Sequence, residues 1–402
     1  MTSNHASPTD TAPSFDLEAA RRRHGAKADL VLTMLTAGDP LADAVITELD
    51  LYGVQAQRVL DAGLRRGLAG LNEPPPTAVA ALLKQLEAIP SRLDPLTLHR
   101  GDVVSQSVPP LWSGLCSIPA ALAHTYASPA LARRLARQGR PTAMALPRLV
   151  EAGRWARQAV RPGGLLRGAP GYVATVEVRL RHARTRATAL KNWDNGARGV
   201  PIGQIDMARV WLGMTCVAFQ ALADVGIDIT ADEERRLYQY WSYVAHLLGL
   251  DERLYGDVVD HASGRRLQDL LDRATPAPDD NSRVLTEAMI DAQARAMAAV
   301  PGVALSEDQV RVLIHHVLRQ TFGDGNADSL GIPAPAATDL MPLVSTLNRQ
   351  ARYWQTFSPA SAQAARRQKL ELPEPEPIAT VLPLGIAHQR QAVVRRWSTP
   401  AA

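Results

Sequence analysis

The sequence predicts an all-helical protein, and three observations carry that prediction. Ala, Leu and Arg are abundant while aromatic residues make up only 5%, a balance that favours helix over sheet. Apolar residues recur three and four apart, as at Val173, Val176, Leu180, Ala183, Ala187 and Leu190, which is one face of an α-helix. No run alternates apolar and polar residues in a way that demands a sheet.

The elements follow in order from periodicity and punctuation. Helices are predicted over 41–68, 76–89, 129–138, 147–160, 173–191, 204–225, 231–248, 283–299, 306–321 and 337–356. Thr230 followed by Asp232 and Glu233 caps one start, and Ser306 followed by Glu307 and Asp308 caps another. Pro74–Pro76, Pro162–Gly164, Gly168–Gly171, Pro276–Asp280 and Gly331–Pro335 read as loops. The 204–225 helix is apolar nearly all round, from Ile205, Met207, Val210, Trp211, Leu212 and Met214 onward, and such a helix is central. Residues 1–14 are polar and Ser/Thr/Pro-rich, which reads as a disordered start. Residues 15–368 read as a single helical domain, and 369–402, rich in Pro, Glu and Arg, as a tail on the surface.

Size and composition exclude several classes. The 402 residues, 46% hydrophobic and 21% charged, suit a globular chain with a large core. Net charge is only +4, and no dense Lys/Arg run is interleaved with aromatics, so nucleic acid is a weak partner. Cys116 and Cys216 belong to no Cys-x-x-Cys and read as buried free thiols. No stretch reaches the apolar length of a membrane span. Arg21-Arg22-Arg23 invites a twin-arginine reading, but the apolar run from Leu30 to Leu35 is short and flanked by Asp29 and Asp39. It is read as a helix of the mature domain, with a cytoplasmic location expected. Asp324–Asp328 resembles the start of a calcium loop but fails at Ser329 and Pro335; a turn is expected there. No zinc, dinucleotide, phosphate-loop or nucleophile-elbow motif is present.

The candidate chemistry lies on the predicted helix 173–191. Thr175, Arg179, His182 and Arg186 share a line that borders the buried stripe. Two fixed cations beside an imidazole disfavour its protonation. A neutral imidazole is a metal ligand or a base, and arginines that are partly buried need anions. Spacing alone leaves the other reading open, a solvated charged face. For His124, His246, His261, His315, His316 and His388 a structural role is expected.

Arg179, His182-Ala183, Arg186 and Trp193, followed by Gly199-Val200-Pro201-Ile202-Gly203-Gln204-Ile205-Asp206, resemble the central motif of the latex-clearing-protein (rubber oxygenase) catalytic domain family. That family also includes the membrane-bound oxygenase of mycophenolic acid biosynthesis. Residues 22–49 resemble the family's opening helices, and the likeness covers about 20–365. It implies a globin-like helical core around haem b, with additional flanking helices. Iron would take the imidazole of His182, and Arg179 and Arg186 would steady the propionates or the ligand helix. Met207 and Trp211 are candidates for cofactor contact, although a place in the core is the commoner explanation for Met207 and Met214. On the distal side, Arg148-Leu149 matches a family pair. Glu151 stands where the rubber-cleaving members carry a Lys, Ala152 where they carry a Thr, and Ala132 where their catalytic glutamate falls. Arg148 and Glu151 are therefore the catalytic candidates, with Glu151 either a base, a water anchor or an exposed residue. The implied reaction is oxidation or cleavage of a C=C bond of an apolar, isoprenoid-like small molecule with O₂. A non-cleaving haem hydroxylase or peroxidase-like enzyme is the alternative, and a haem-free helical interaction protein is another.

Overall fold

The computed structural model describes residues 16–90, 93–190, 200–301, 303–334 and 341–370. No strand occurs among the described residues, and the all-helical class holds. The expected disordered start, the tail beyond 370, Trp193, Gly199 and His388 lie outside the described residues.

Helices α1 (Leu17–His24) and α2 (Ala26–Met34) take up the Arg21–Arg23 run and the apolar stretch after it. The long α3 (Pro40–Arg66) is capped by Asp39, whose carboxylate accepts from the Ala42 N–H at 3.1 Å. It breaks once, at Gly53, where a φ of 60° suits glycine. α4 (Thr77–Glu87) packs along it. Three short helices, α5 (Pro95–Arg100), α6 (Val103–Ser107) and α7 (Pro110–Trp112), were not expected. Each has too few turns for periodicity to register. A π-helical turn, Ser113–Ser117, then leads into α8 (Ile118–Tyr126), and α9 (Pro129–Arg137) follows.

The centre is a hairpin of α10 (Pro141–Val160) and α11 (Pro170–Leu190). α10 begins six residues before the expected Pro147. Pro141 takes the first-turn position where proline is tolerated, and Pro147 stays inside the helix. α11 packs on α3 along one side and on α10 along the other. The expected helix 204–225 is α12 (Gln204–Leu212), a second π-helical turn (Gly213–Val217) and α13 (Ala218–Asp224). The free thiols Cys116 and Cys216 lie one in each π turn, and burial pushes both above the usual thiol range, which leaves them unreactive.

The rest wraps this centre. α14 (Ala231–Leu247) has its expected cap: Thr230 Oγ1 accepts from the Glu233 N–H at 3.2 Å, and Glu233 returns a bond to the Thr230 N–H. α15 (Glu252–Tyr255) and α16 (His261–Arg273) follow. α17 (Asp280–Ala298) packs on α8, α9 and α10, and α18 (Glu307–Phe322), capped by Ser306, packs on α17. The expected turn at 324–329 is a short helix, α19 (Asp324–Ser329). The chain then forms α20 (Met341–Phe357) and α21 (Pro359–Leu370).

Candidate functional site

The helix carrying His182 is clamped to the start of α3. Arg179 and Arg186 are 4% and 2% exposed, so their charges must be met inside the fold. Arg179 forks onto Asp39, with Nε to Oδ2 at 2.6 Å and Nη2 to Oδ1 at 3.1 Å, while Nη1 donates to Gln85 Oε1 at 2.6 Å. One turn beyond His182, Arg186 Nε meets Asp43 Oδ1 at 2.9 Å, and Nη1 donates to the Ile202 carbonyl at 2.5 Å. Acids of the chain already take up both guanidiniums, and these bonds tie α11 to the start of α3.

The Gly203–Asp206 stretch completes the clamp. Gln204 Nε2 donates to the Gly38 and Gly249 carbonyls at 2.9 and 3.1 Å, and its Oε1 accepts from the Asp251 N–H at 2.8 Å. One amide thus ties the α3 start to the turn after α14. Gly249 lies at φ +75°, and a Cβ there would stand 2.3 Å from Arg179 Nε and 2.4 Å from Asp39 Oδ2. Both neighbours are held by hydrogen bonds and cannot step aside freely. Gly249→Ala is therefore expected to cost about 2–4 kcal/mol, strain and overpacking together. A urea-unfolding loss below about 1 kcal/mol would show that the clamp yields.

His182 sits between the two pinned arginines. Its Nδ1 is sealed from solvent and has no hydrogen-bond partner. Part of the ring borders a narrow cavity of about 10 Å³, shared with Met207, Ile202, Gln204 and Leu248. That space admits about one water. Burial first, then Arg181, Arg186 and Arg134, push its pKa down to about 3, so the ring is neutral at physiological pH; of the two arginines the spacing put beside it, only Arg186 is among the causes. Between pH 6.5 and about 3 the unfolded chain binds a proton that the folded ring refuses. Stability should fall with falling pH there by up to about 1.4 kcal/mol per unit from this group. Asp206, raised by burial to about 6, acts in the opposite sense between about 6 and 3.8, where the fold holds the extra proton. His182→Asn should consequently flatten the acid decline of Tm. Parallel curves for variant and wild type over pH 4–7 would show that the ring is not held neutral.

Two further arginines are half-buried on neighbouring helices, and one of them, Arg134, acts on this imidazole. Arg134, on α9, donates from Nη2 to the Thr185 carbonyl at 2.9 Å, and its Nε is buried without a partner. Arg148, on α10, donates from Nη2 to the Leu135 carbonyl at 2.6 Å and bonds the Tyr126 hydroxyl, and its Nη1 is buried without a partner. Neither forms an ion pair among the described residues. Arg148 was expected as a catalytic residue; it bonds Leu135 and Tyr126 and does not line the cavity at His182, while Arg134, which does act on the ring, has no helical-spacing relation to His182 and was not expected.

The other candidates separate. Glu151 hydrogen-bonds Arg181, the neighbour of His182, and both line an open cleft of about 450 Å³ between α10 and α11. His182 is not part of that cleft's lining. Met207 does border the cavity at His182. Trp211 does not: its Nε1 donates to the Trp241 carbonyl at 2.8 Å, and it packs against Tyr238 and Tyr255. A helix apolar nearly all round buries most of its faces, and spacing could not tell which one turned to the site. Among the other histidines, His246 bonds the Gln85 carbonyl at 3.0 Å and His261 the Tyr238 hydroxyl at 2.9 Å. His124 on α8 differs. It is 2% exposed, and its Nε2 is buried without a partner; burial, then Arg209, pushes its pKa well below the usual value. No group of three or more His, Cys, Asp or Glu side chains that could hold a metal ion occurs among the described residues.

Fold and site define an all-helical protein built around a buried neutral imidazole on an arginine-clamped helix. Residues 111–356 match the family described as ER-bound oxygenase mpaB/B'/Rubber oxygenase, catalytic domain, and the chain belongs to that family. It is similar in fold to latex clearing protein in its closed state, with a TM-score of 0.57 and 18% identity over 89% of this chain and 91% of that one. No curated protein matches the chain.

Proposed function

We propose that the chain is a haem-b-dependent oxygenase that uses O₂ to oxidise or cleave a C=C bond of an apolar, isoprenoid-like substrate, with His182 as the ligand to iron. The observation that carries the reading is the sealed, unpartnered Nδ1 of a neutral imidazole on which Arg134, a guanidinium with no ion pair among the described residues, also acts. Haem brings one metal for a neutral imidazole and two carboxylates for arginines, so the donor set fits. When bound, haem supplies the activation of O₂.

The chain's own residues supply placement. Arg179 and Arg186, fixed by Asp39 and Asp43, keep the His182 helix from shifting. Arg134, whose charge reaches the ring, would hold a carboxylate. Met207 and Ile202 border the ring with apolar surface. The cavity takes only about one water as it stands, so the side chains around it must move for a macrocycle to enter. Glu151 is tied to Arg181, and acting as a base would require that pair to open. This pairing favours a second reading within the same chemistry, hydroxylation or peroxidase-like oxidation without cleavage.

Expression with haem supplied should give purified protein with a Soret band. Its absence would end the reading at its first step and leave the haem-free interaction protein. Mass spectrometry of a squalene- or carotenoid-like alkene after turnover divides the two chemistries: carbonyl fragments mean cleavage, intact alcohols hydroxylation.

A further inference from the structure

Helix α20 is built inside out. Its inner side makes polar contacts: Asn348 Nδ2 donates to the Val225 carbonyl at 2.8 Å, and Arg352 reaches the Asp228 carbonyl at 2.9 Å and Glu233 at 2.6 Å. Its outer side carries Leu343, Leu347, Tyr353, Trp354 and Phe357, each 57–68% exposed. Tyr353 stands 5.8 Å from Trp354 and 4.5 Å from Phe357, ring centre to ring centre, so the aromatics form one patch. A helix of a water-soluble surface shows the reverse arrangement. Contiguous exposed apolar area marks an interaction site.

Charge identifies the partner. Residues 341–370 carry five basic residues, Arg349, Arg352, Arg366, Arg367 and Lys369, and no acid, in a chain of net charge +4. The remainder of the chain is thus net −1. Glu233 takes up Arg352, whereas Arg349 is 61% exposed with Asp228 only at 3.9 Å. A second copy of the same face would bring like charges together, which opposes self-pairing. Trp and Tyr rings settle at the headgroup level of a bilayer, and a basic stretch without acids favours anionic lipid. No helix among the described residues is long and apolar enough to cross a membrane, so the contact would lie on the surface.

We propose that α20 and α21 form a docking surface for an anionic lipid bilayer, with the outer face of α20 entering the headgroup region. The proposal is independent of iron at His182. It adds a place where an apolar substrate is met.

The test is co-flotation of the full chain with phosphatidylcholine vesicles, with and without phosphatidylglycerol. Binding should require the anionic lipid and weaken at high salt. Leu347→Glu with Trp354→Glu should lower the partition coefficient roughly a hundredfold, with circular dichroism unchanged because both positions are exposed. Arg366→Gln with Arg367→Gln should lower it about tenfold. Failure to float with anionic vesicles would overturn the proposal, as would equal flotation of the Leu347/Trp354 variant. A dimer dissolved by that variant, without vesicle binding, would assign the face to a second copy instead.

Discussion

Asp39→Ala is expected to destabilise the chain by about 3–5 kcal/mol, because it strands the Arg179 guanidinium in the interior. Arg179 is 4% exposed and would keep only Gln85. The same change removes the cap of α3 (Ala42 N–H to Asp39 Oδ1), a further loss of about 1 kcal/mol. Arg179→Met leaves Asp39 with that cap bond and should cost less. The double variant should fall well short of the sum of the singles, since the second change removes the group the first left unpaired. The Arg186–Asp43 pair is a built-in comparison. Asp43 is 37% exposed, so water can take over part of its work, and Asp43→Ala should cost less than Asp39→Ala. Chemical unfolding of the four variants checks the order. Strict additivity of Asp39→Ala and Arg179→Met would show that the ion pair is incidental to the clamp.

What the sequence disclosed depended on distance along the chain. The line Thr175–Arg179–His182–Arg186 lies within a few helical turns, so periodicity alone put one imidazole between two guanidiniums. The rule that buried arginines need anions was also sound, but periodicity cannot say which arginines have one. Asp39 and Asp43 lie about 140 residues before their partners and were visible only as part of the stretch resembling the family's opening helices. Arg134 and Arg148, which form no ion pair among the described residues, come from two other helices. Most long helices were legible, although the capped α16 and the C-terminal α21 were not; α5, α6 and α7 were not legible either, since a helix of one or two turns is fixed by its neighbours rather than by its own pattern. The outward apolar face of α20 escaped for a related reason. Periodicity shows that a helix has two faces, and only packing shows which one is turned to the core.

His182→Ala should abolish the Soret band, with haem affinity reduced by far more than the 10–100-fold typical of losing a residue that merely orients a ligand. The variant removes an imidazole whose Nδ1 has no partner, so no hydrogen bond at that atom is lost and the helix stays pinned by Arg179 and Arg186. The apo fold should therefore survive, and circular dichroism checks that. Rescue separates a ligand from a structural residue: His182→Gly supplied with free imidazole should recover a Soret band, which a purely structural role would not restore. Asp43→Ala, which loosens the ligand helix without touching the ring, should weaken haem binding within the 10–100-fold range. His124 is the competing buried imidazole with an unpartnered nitrogen, and it lies on α8, where Arg209 acts on it. His124→Ala should leave the spectrum intact. If it removes the band while His182→Ala does not, the iron belongs to α8, and the arginine clamp is then the scaffold of a different pocket.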